Sequence, residues 1–275
     1  MQVLSFIWDP SPGIDLGFFM IRYYSLMFVI AFTIGWFLTK NIFKNEGLSD
    51  DKMDSLFIYV VLATLVGARL GHVFFYQPEL LKNDFFSVFL PFSFKNGFEF
   101  TGFRGLASHG AAIGIIVAMY FYSKKVLKKP ILWILDRIVI AVACGAIFVR
   151  IGNFINSEII GKATNSDFGV VFKQLGEDFP RHPAQLYESF CYIFVFATLY
   201  YLYWKTNKSK QMGYLLGMFL VLLWTVRFFV EFVKVAQVDE RAEWVLNTGQ
   251  WLSIPFILVG AYLMISSPKR PVPNE

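Results

Sequence analysis

Charge is scarce in this chain. Asp, Glu, Lys and Arg make up 16% of its 275 residues, against roughly 25% in soluble domains, so one soluble core is a poor fit. Cysteine is scarcer still. Cys144 and Cys191 are the two present, both inside apolar runs and without a C-x-x-C spacing, which disfavours a disulfide or a metal site and reads as buried free thiols. Three histidines are present, and H-E-x-x-H, G-x-x-x-x-G-K-[ST] and G-x-S-x-G are all absent. Metal hydrolysis, nucleotide binding and serine-hydrolase chemistry are therefore disfavoured. The chain does not open on a short basic segment followed by a small-residue cleavage site, so its first apolar span is expected to insert as a permanent helix. Internal repeats, low-complexity tracts and a soluble second domain are also missing.

What abounds is apolar surface: 56% of residues are hydrophobic and the mean hydropathy is +0.52. Seven runs, at about 19–39, 55–76, 105–123, 131–151, 185–204, 213–233 and 247–266, approach the roughly 20 residues that cross a bilayer. The reading is an all-α, polytopic integral membrane protein, one transmembrane domain over 1–275 with about seven transmembrane helices. Lys40, Lys44 and Lys52, then Lys124, Lys125, Lys128 and Lys129, then Lys205, Lys208 and Lys210, then Lys269 and Arg270 follow alternate spans. With seven spans these segments share one side, which the positive-inside rule makes cytoplasmic. The C-terminus is then cytoplasmic, and the N-terminus and the loops 77–104, 152–184 and 234–246 face outward. The net charge of +5 is spread over short loops, so it reads as a topology signal rather than a nucleic-acid patch. The aromatic stretch 85–94 is expected to lie at the interface, and the loop 152–184 to form a structured polar cap or a lid.

One stretch stands out, Arg150-Ile-Gly-Asn-Phe-Ile-Asn-Ser-Glu158-Ile-Ile-Gly161. Arg150, Asn153 and Ser157 fall on one helical face at the end of a membrane-grade run, where fixed charge is costly. Other polar residues recur at the outward ends of spans: Arg22 with Tyr23 and Tyr24, Arg69 and His72, His109 among small residues, Glu188, and Arg227 with Glu231. Each has a bland alternative. Arg227 and Glu231 can form a self-neutralising intrahelical pair, Arg69 and His72 can snorkel, and His109 can serve close helix packing. Asp136-Arg137, early in span four, reads as structural.

Arginines gathered in one outward-facing cavity suit an anion, and phosphate matches guanidinium bidentately. A histidine nearby suits proton transfer near neutral pH. The residues thus describe a site for a phosphate-bearing, lipidic substrate with one general base, without naming the reaction. A secondary transporter or lipid-binding protein is the main competitor, although two similar halves and broken helices are not evident. An intramembrane protease would need a Ser–His or paired-Asp arrangement that only His109 begins to fit.

The stretch Arg150 to Gly161 resembles the signature of bacterial prolipoprotein diacylglyceryl transferases. Similar motifs cover nearly the whole chain: Arg22-Tyr-Tyr24-Ser-Leu-Met, Ala68-Arg69-Leu-Gly-His-Val-Phe-Phe-Tyr76, Ser108-His109-Gly110, Arg181-His-Pro-Ala-Gln-Leu-Tyr-Glu188, Arg227-Phe-Phe-Val-Glu231-Phe and Gly249-Gln-Trp-Leu-Ser-Ile-Pro255. The resemblance implies transfer of an sn-1,2-diacylglyceryl group from phosphatidylglycerol to the lipobox cysteine that follows a prolipoprotein's signal peptide. The products are a thioether and sn-glycerol 1-phosphate, and this is the first step of lipoprotein maturation. It implies no metal or organic cofactor, no nucleic acid, and a place in the bacterial cytoplasmic (inner) membrane with the site in the outer half. The essential residues carry over as Tyr24, His109, Arg150, Asn153, Glu158, Gly161, Arg227 and Glu231. On this reading Arg150 and Arg227 stabilise the leaving phosphate, Asn153 and Tyr24 support it, and Glu231 holds Arg227. Glu158 orders the loop or orients the headgroup, Gly161 counts among the substrate-binding positions, and His109 generates the thiolate or holds the headgroup. Three positions depart from the pattern: Ala111 and Arg104 stand where glycine is common, and Leu223 where some members have tyrosine.

Overall fold

The computed structural model describes residues 6–17, 20–90, 92–93, 98–100, 105, 107–235 and 246–272. Among them run seven long helices: α1 (Tyr23–Asn45), α2 (Asp50–Tyr76), α5 (Ser108–Tyr122), α6 (Ile131–Ile155), α7 (Ala184–Lys205), α8 (Tyr214–Val230) and α9 (Thr248–Ser266). Each overlaps one of the seven apolar runs. Two short helices follow α2: α3 (Leu80–Asn83), and α4 (Phe85–Phe89) within the aromatic stretch. Five helical segments are long and apolar enough to cross a membrane, those beginning at Tyr23, Asp50, His109, Ile131 and Thr248. α8 is apolar but has 17 residues, and α7 interrupts its apolar run with Gln185, Glu188, Ser189 and a series of tyrosines. Large side chains such as Ile58, Leu62, Ile113, Ile116, Leu258 and Ile265 are exposed on helix faces, which water would punish and lipid tails accept. The chain is a mostly helical, multi-pass membrane protein.

The strands were not legible from hydropathy. β1 (Phe6–Trp8) pairs in parallel with β6 (Val170–Phe172), matching Phe6 with Val170 and Trp8 with Phe172. β2 (Gly13–Asp15) and β3 (Met20–Arg22) form a hairpin that leads directly into α1, and β4 (Phe92–Ser93) pairs with β5 (Glu99–Phe100). The hairpin explains why the first helix begins at Tyr23 rather than near residue 19.

Two compact units divide the chain, one of residues 1–39 and 135–275, the other of 40–134. In the second unit, α2 and α5 approach until backbone meets backbone. A Cβ on Gly110 would lie 2.2 Å from the Gly67 carbonyl oxygen, and one on Gly71 would lie 2.6 Å from the Gly110 Cα. Gly67 and Gly71, like Gly110 and Gly114, repeat at four residues, the small-residue spacing that lets membrane helices touch. The contact falls at Gly110 and Gly114, so Ala111 is accommodated without cost to it. Arg69 is buried and does not snorkel. It donates to the Ser87 (2.7 Å) and Val88 (3.2 Å) carbonyls and to that of Gly105 (3.4 Å), tying α4 and the segment before α5 to α2.

In the first unit, α8 lies between α7 and α9. Its N-terminus is held by Asp136, 1% exposed, whose carboxylate accepts from the Gly213 (2.6 Å) and Leu216 (2.8 Å) backbone N–H groups. A carboxylate there satisfies two orphan donors and complements the helix dipole. Arg137 donates to the Ser209 carbonyl at 3.1 Å, so this pair is structural. At the opposite end of the same unit, Trp8 lies on Phe154 with ring centroids 4.5 Å apart and donates to its carbonyl at 3.0 Å. Phe154, Val170 and Phe172 form a small core there with Trp8, Ile160 and Leu186, so the 152–184 connection is a folded cap.

Candidate active site

The stretch that dominates the sequence ends α6 in a tight cap. The Glu158 N–H reaches the Asn153 carbonyl (2.9 Å) and the Ser157 N–H that of Phe154 (3.0 Å), a six-to-one and five-to-two pairing around a left-handed residue. That residue is Ser157, at φ 53°, and Ile159 follows at φ 56°. Neither is glycine, and a branched side chain in this region is strained by about 1–3 kcal/mol. The strain turns Ser157 off the helical face it was expected to share, and its hydroxyl meets Gln174 at 3.3 Å. It also throws Glu158 back, so its carboxylate accepts from Asn153 (3.1 Å) and Asn156 (3.0 Å). Gln185, fully buried, donates to the Glu158 carbonyl.

Arg150 begins a chain of charges through this end of the unit. Its Nε lies 2.8 Å from Glu188 Oε2, and its Nη1 donates to Asn153 Oδ1 at 3.3 Å. The other Glu188 oxygen takes Lys234 Nζ at 2.9 Å, and the same ammonium reaches Glu231 Oε1 at 3.0 Å. Glu231 Oε2 accepts from Asn247 Nδ2 at 3.2 Å. Arg150, Glu188 and Lys234 are 8%, 0% and 3% exposed. Two cations and two carboxylates cancel, which is the condition for holding such groups away from water. Tyr24, against whose ring Gly152 packs, sits beside Asn153 and within electrostatic reach of Glu158 and Arg150.

Arg227 is the exception. It is half-buried in the last turn of α8, its guanidinium carbon 4.9 Å from the centre of the Trp224 ring, which in turn stacks on Phe256 at 4.2 Å. Among the described residues no carboxylate pairs with it, and its buried Nε has no hydrogen-bond partner. The expected Arg227–Glu231 contact is replaced: Glu231 lies just beyond α8 and turns to Lys234 and Asn247. Gly249 makes room for that carboxylate, since a Cβ there would lie 2.5 Å from the Glu231 Cδ. One turn before Arg227, Leu223 brings no polar atom.

Gly161 is placed by backbone alone. A Cβ would lie 2.4 Å from the His182 carbonyl oxygen and 2.9 Å from that of Val233. The Gly161 N–H donates to His182 O (3.0 Å) and the Lys162 N–H to Val233 O (2.7 Å). The segment 160–162 thus stitches the start of α7 to the segment carrying Lys234. Arg181 reinforces the stitch, donating to the Gly161 carbonyl at 3.2 Å and to Glu177 Oε1 at 2.6 Å. The hydrogen-bonded Glu177 carboxylate raises the Arg181 guanidinium above the usual arginine range.

His109 belongs to the other compact unit, exposed in the first turn of α5. His72 stacks on Tyr76 at 5.3 Å. Arg104 lies outside the described residues. Sequence reading missed Lys234, Asn247 and Gln185 and gave Glu188 no role. The available signal was Glu188 itself, a carboxylate opening an apolar span, which demands a cation. Among the described residues, no group of three His, Cys, Asp or Glu is placed to hold a metal ion.

The family model described as prolipoprotein diacylglyceryl transferase matches residues 13–266. A Bacteroides fragilis protein named phosphatidylglycerol–prolipoprotein diacylglyceryl transferase is 39% identical over 271 residues, covering 98% of this chain and 97% of the relative. Proteins of the same name from Chloroherpeton thalassium (39% over 272 residues, 98% and 97% covered) and Porphyromonas gingivalis (37% over 291 residues, 100% and 99% covered) are similar throughout. With the family model matched over residues 13–266 and relatives of 37–39% identity along almost the full length, the chain belongs to the prolipoprotein diacylglyceryl transferase family.

Proposed function

We propose that the protein transfers the diacylglyceryl group of phosphatidylglycerol to the lipobox cysteine of a prolipoprotein, in the outer half of the bacterial cytoplasmic membrane. The observation that carries this reading at the level of chemistry is Arg227, a guanidinium on an aromatic shelf, beside a charge chain that is already balanced. The thiolate sulfur attacks the glyceryl carbon, the carbon–oxygen bond to phosphate breaks, and the electron pair leaves on the ester oxygen as a glycerol phosphate. Negative charge on that phosphate grows as the bond breaks, and Arg227 meets it where water is scarce, so the interaction strengthens in the transition state. Arg150, occupied by Glu188 and Asn153, fixes the floor of the site. Tyr24 and Asn153, beside Arg150, are assigned to support the headgroup, and Glu158 to order the cap. A base must take the thiol proton, because a thiol with a pKa of about 8.5 is mostly protonated at neutral pH; the motif resemblance gives that role to His109.

The test is to mix the purified full chain in phosphatidylglycerol-containing micelles with a lipobox peptide carrying one cysteine. The peptide's mass should rise by one diacylglyceryl unit, and the rise should vanish when that cysteine becomes serine. An unchanged mass with a folded protein refutes the reading.

A further inference from the structure

Resting on the assignment of Arg227 to the substrate phosphate, we infer that Lys234 is a positioning residue that keeps Arg227 available by holding Glu231 away from it. Arg227 and Glu231 are four residues apart at the end of α8, a spacing that brings an arginine and a glutamate within reach of each other. Had they paired, the guanidinium would be neutralised before a phosphate arrived. Instead Lys234 Nζ reaches Glu231 Oε1 at 3.0 Å and Glu188 Oε1 at 2.9 Å, and Asn247 takes the other Glu231 oxygen.

The position of Lys234 is built, not incidental. The side chain is 3% exposed, a costly place for an ammonium unless its partners are fixed. Its backbone is clamped from both sides of the residue: Lys162 N–H donates to Val233 O at 2.7 Å, and Val235 N–H to Ile160 O at 3.3 Å. Gly161 lies opposite Lys234 in this antiparallel contact, where a Cβ would come within 2.9 Å of Val233 O. The glycine of the signature stretch thereby acts at a distance, letting the Lys234 segment dock so that its ammonium reaches both carboxylates. Removing the ammonium leaves Glu188 with Arg150 but frees Glu231, whose nearest cation along the chain is then Arg227.

The experiment compares Lys234→Met, Lys234→Arg, Lys234→Met with Glu231→Gln, and Arg227→Ala in the purified full chain. It reads transfer kinetics against phosphatidylglycerol in mixed micelles, with thermal melting as the folding control. Lys234→Met should raise the KM for phosphatidylglycerol about tenfold, the size of one competing charge-assisted hydrogen bond, while kcat changes less than about threefold. Lys234→Arg should stay near the parent, and adding Glu231→Gln to Lys234→Met should bring KM back toward it. A Lys234→Met KM equal to the parent's, or a double variant no better than the single one, overturns the inference. If Lys234→Met does not fold, Lys234→Gln carries the same comparison. Arg227→Ala separates the two levels of argument: if it leaves KM and kcat unchanged, the phosphate assignment itself fails, whatever Lys234 does.

Discussion

Glu188→Gln removes one charge from the centre of the buried chain and almost no volume. In the native protein Glu188 is fully buried, with Arg150 Nε at 2.8 Å on one oxygen and Lys234 Nζ at 2.9 Å on the other. Glutamine keeps one acceptor, but its amide nitrogen must point donors at a cation on the other side. Arg150 and Lys234 are then left with Glu231 alone to balance them, a surplus positive charge in a dry site. Breaking a buried pair in this way costs about 3–5 kcal/mol. On the scale of soluble domains of 150–250 residues, where 1 kcal/mol moves the midpoint by about 2–4 °C, that is a fall in Tm of about 6–20 °C. Thermal melting of purified protein in one detergent, parent against variant, measures it. Transfer activity should fall as well, because Arg150 loses the partner that fixes its guanidinium. A Glu188→Gln protein that melts within about 2 °C of the parent would show that the charges are solvated and that the balance argument is wrong.

Other outcomes follow from the same geometry. Gly161→Ala places a methyl group against backbone on both sides, which cannot swing away, and should cost about 2–4 kcal/mol from overpacking and a lost backbone hydrogen bond; activity should drop more than Tm indicates, because the Lys234 segment is displaced. Gly110→Val should separate α2 from α5 and sharply lower the yield of folded protein, whereas Ala111→Val, off the contact, should express near the parent level; both are read by size-exclusion recovery in detergent. Asp136→Ala strips two backbone donors of their acceptor at the far end of α8 and should cost about 1–2 kcal/mol or more. Its kcat per folded molecule should stay within about twofold, since the site lies at the other end of the unit.

The helices were legible because apolar runs near bilayer length announce themselves, and all seven runs overlap a long helix. Their ends were less so. The hairpin β2–β3 delays α1 to Tyr23, and the strand pairing of residues 6–8 with 170–172 joins segments far apart in the chain, a long-range pairing that hydropathy does not encode. At the site, Arg150 and Asn153 fall together as their spacing implied, and the small residues around Gly110 mark a helix contact. Arg227 and Glu231 show the limit of spacing arguments: the four-residue rule predicts a pair, and a lysine three residues further on takes the carboxylate. Lys234 was invisible because a lysine at the start of a loop reads as solvated, and only the fold reveals that the loop 160–162 buries it. Glu158 was expected to order the loop or orient the headgroup and Gly161 to be a substrate-binding position; the fold places Glu158 in a strained cap and Gly161 in a backbone stitch.

The transfer chemistry rests on Arg227. Its kcat/KM with phosphatidylglycerol and a lipobox peptide, compared between parent and Arg227→Ala at matched folded concentration, is the most direct test. Arg227→Ala should lose at least about a hundredfold, in line with removal of a group that meets charge developing in the transition state, with Tm near the parent because Arg227 has no carboxylate partner among the described residues. A variant that keeps kcat/KM within about threefold of the parent would contradict it.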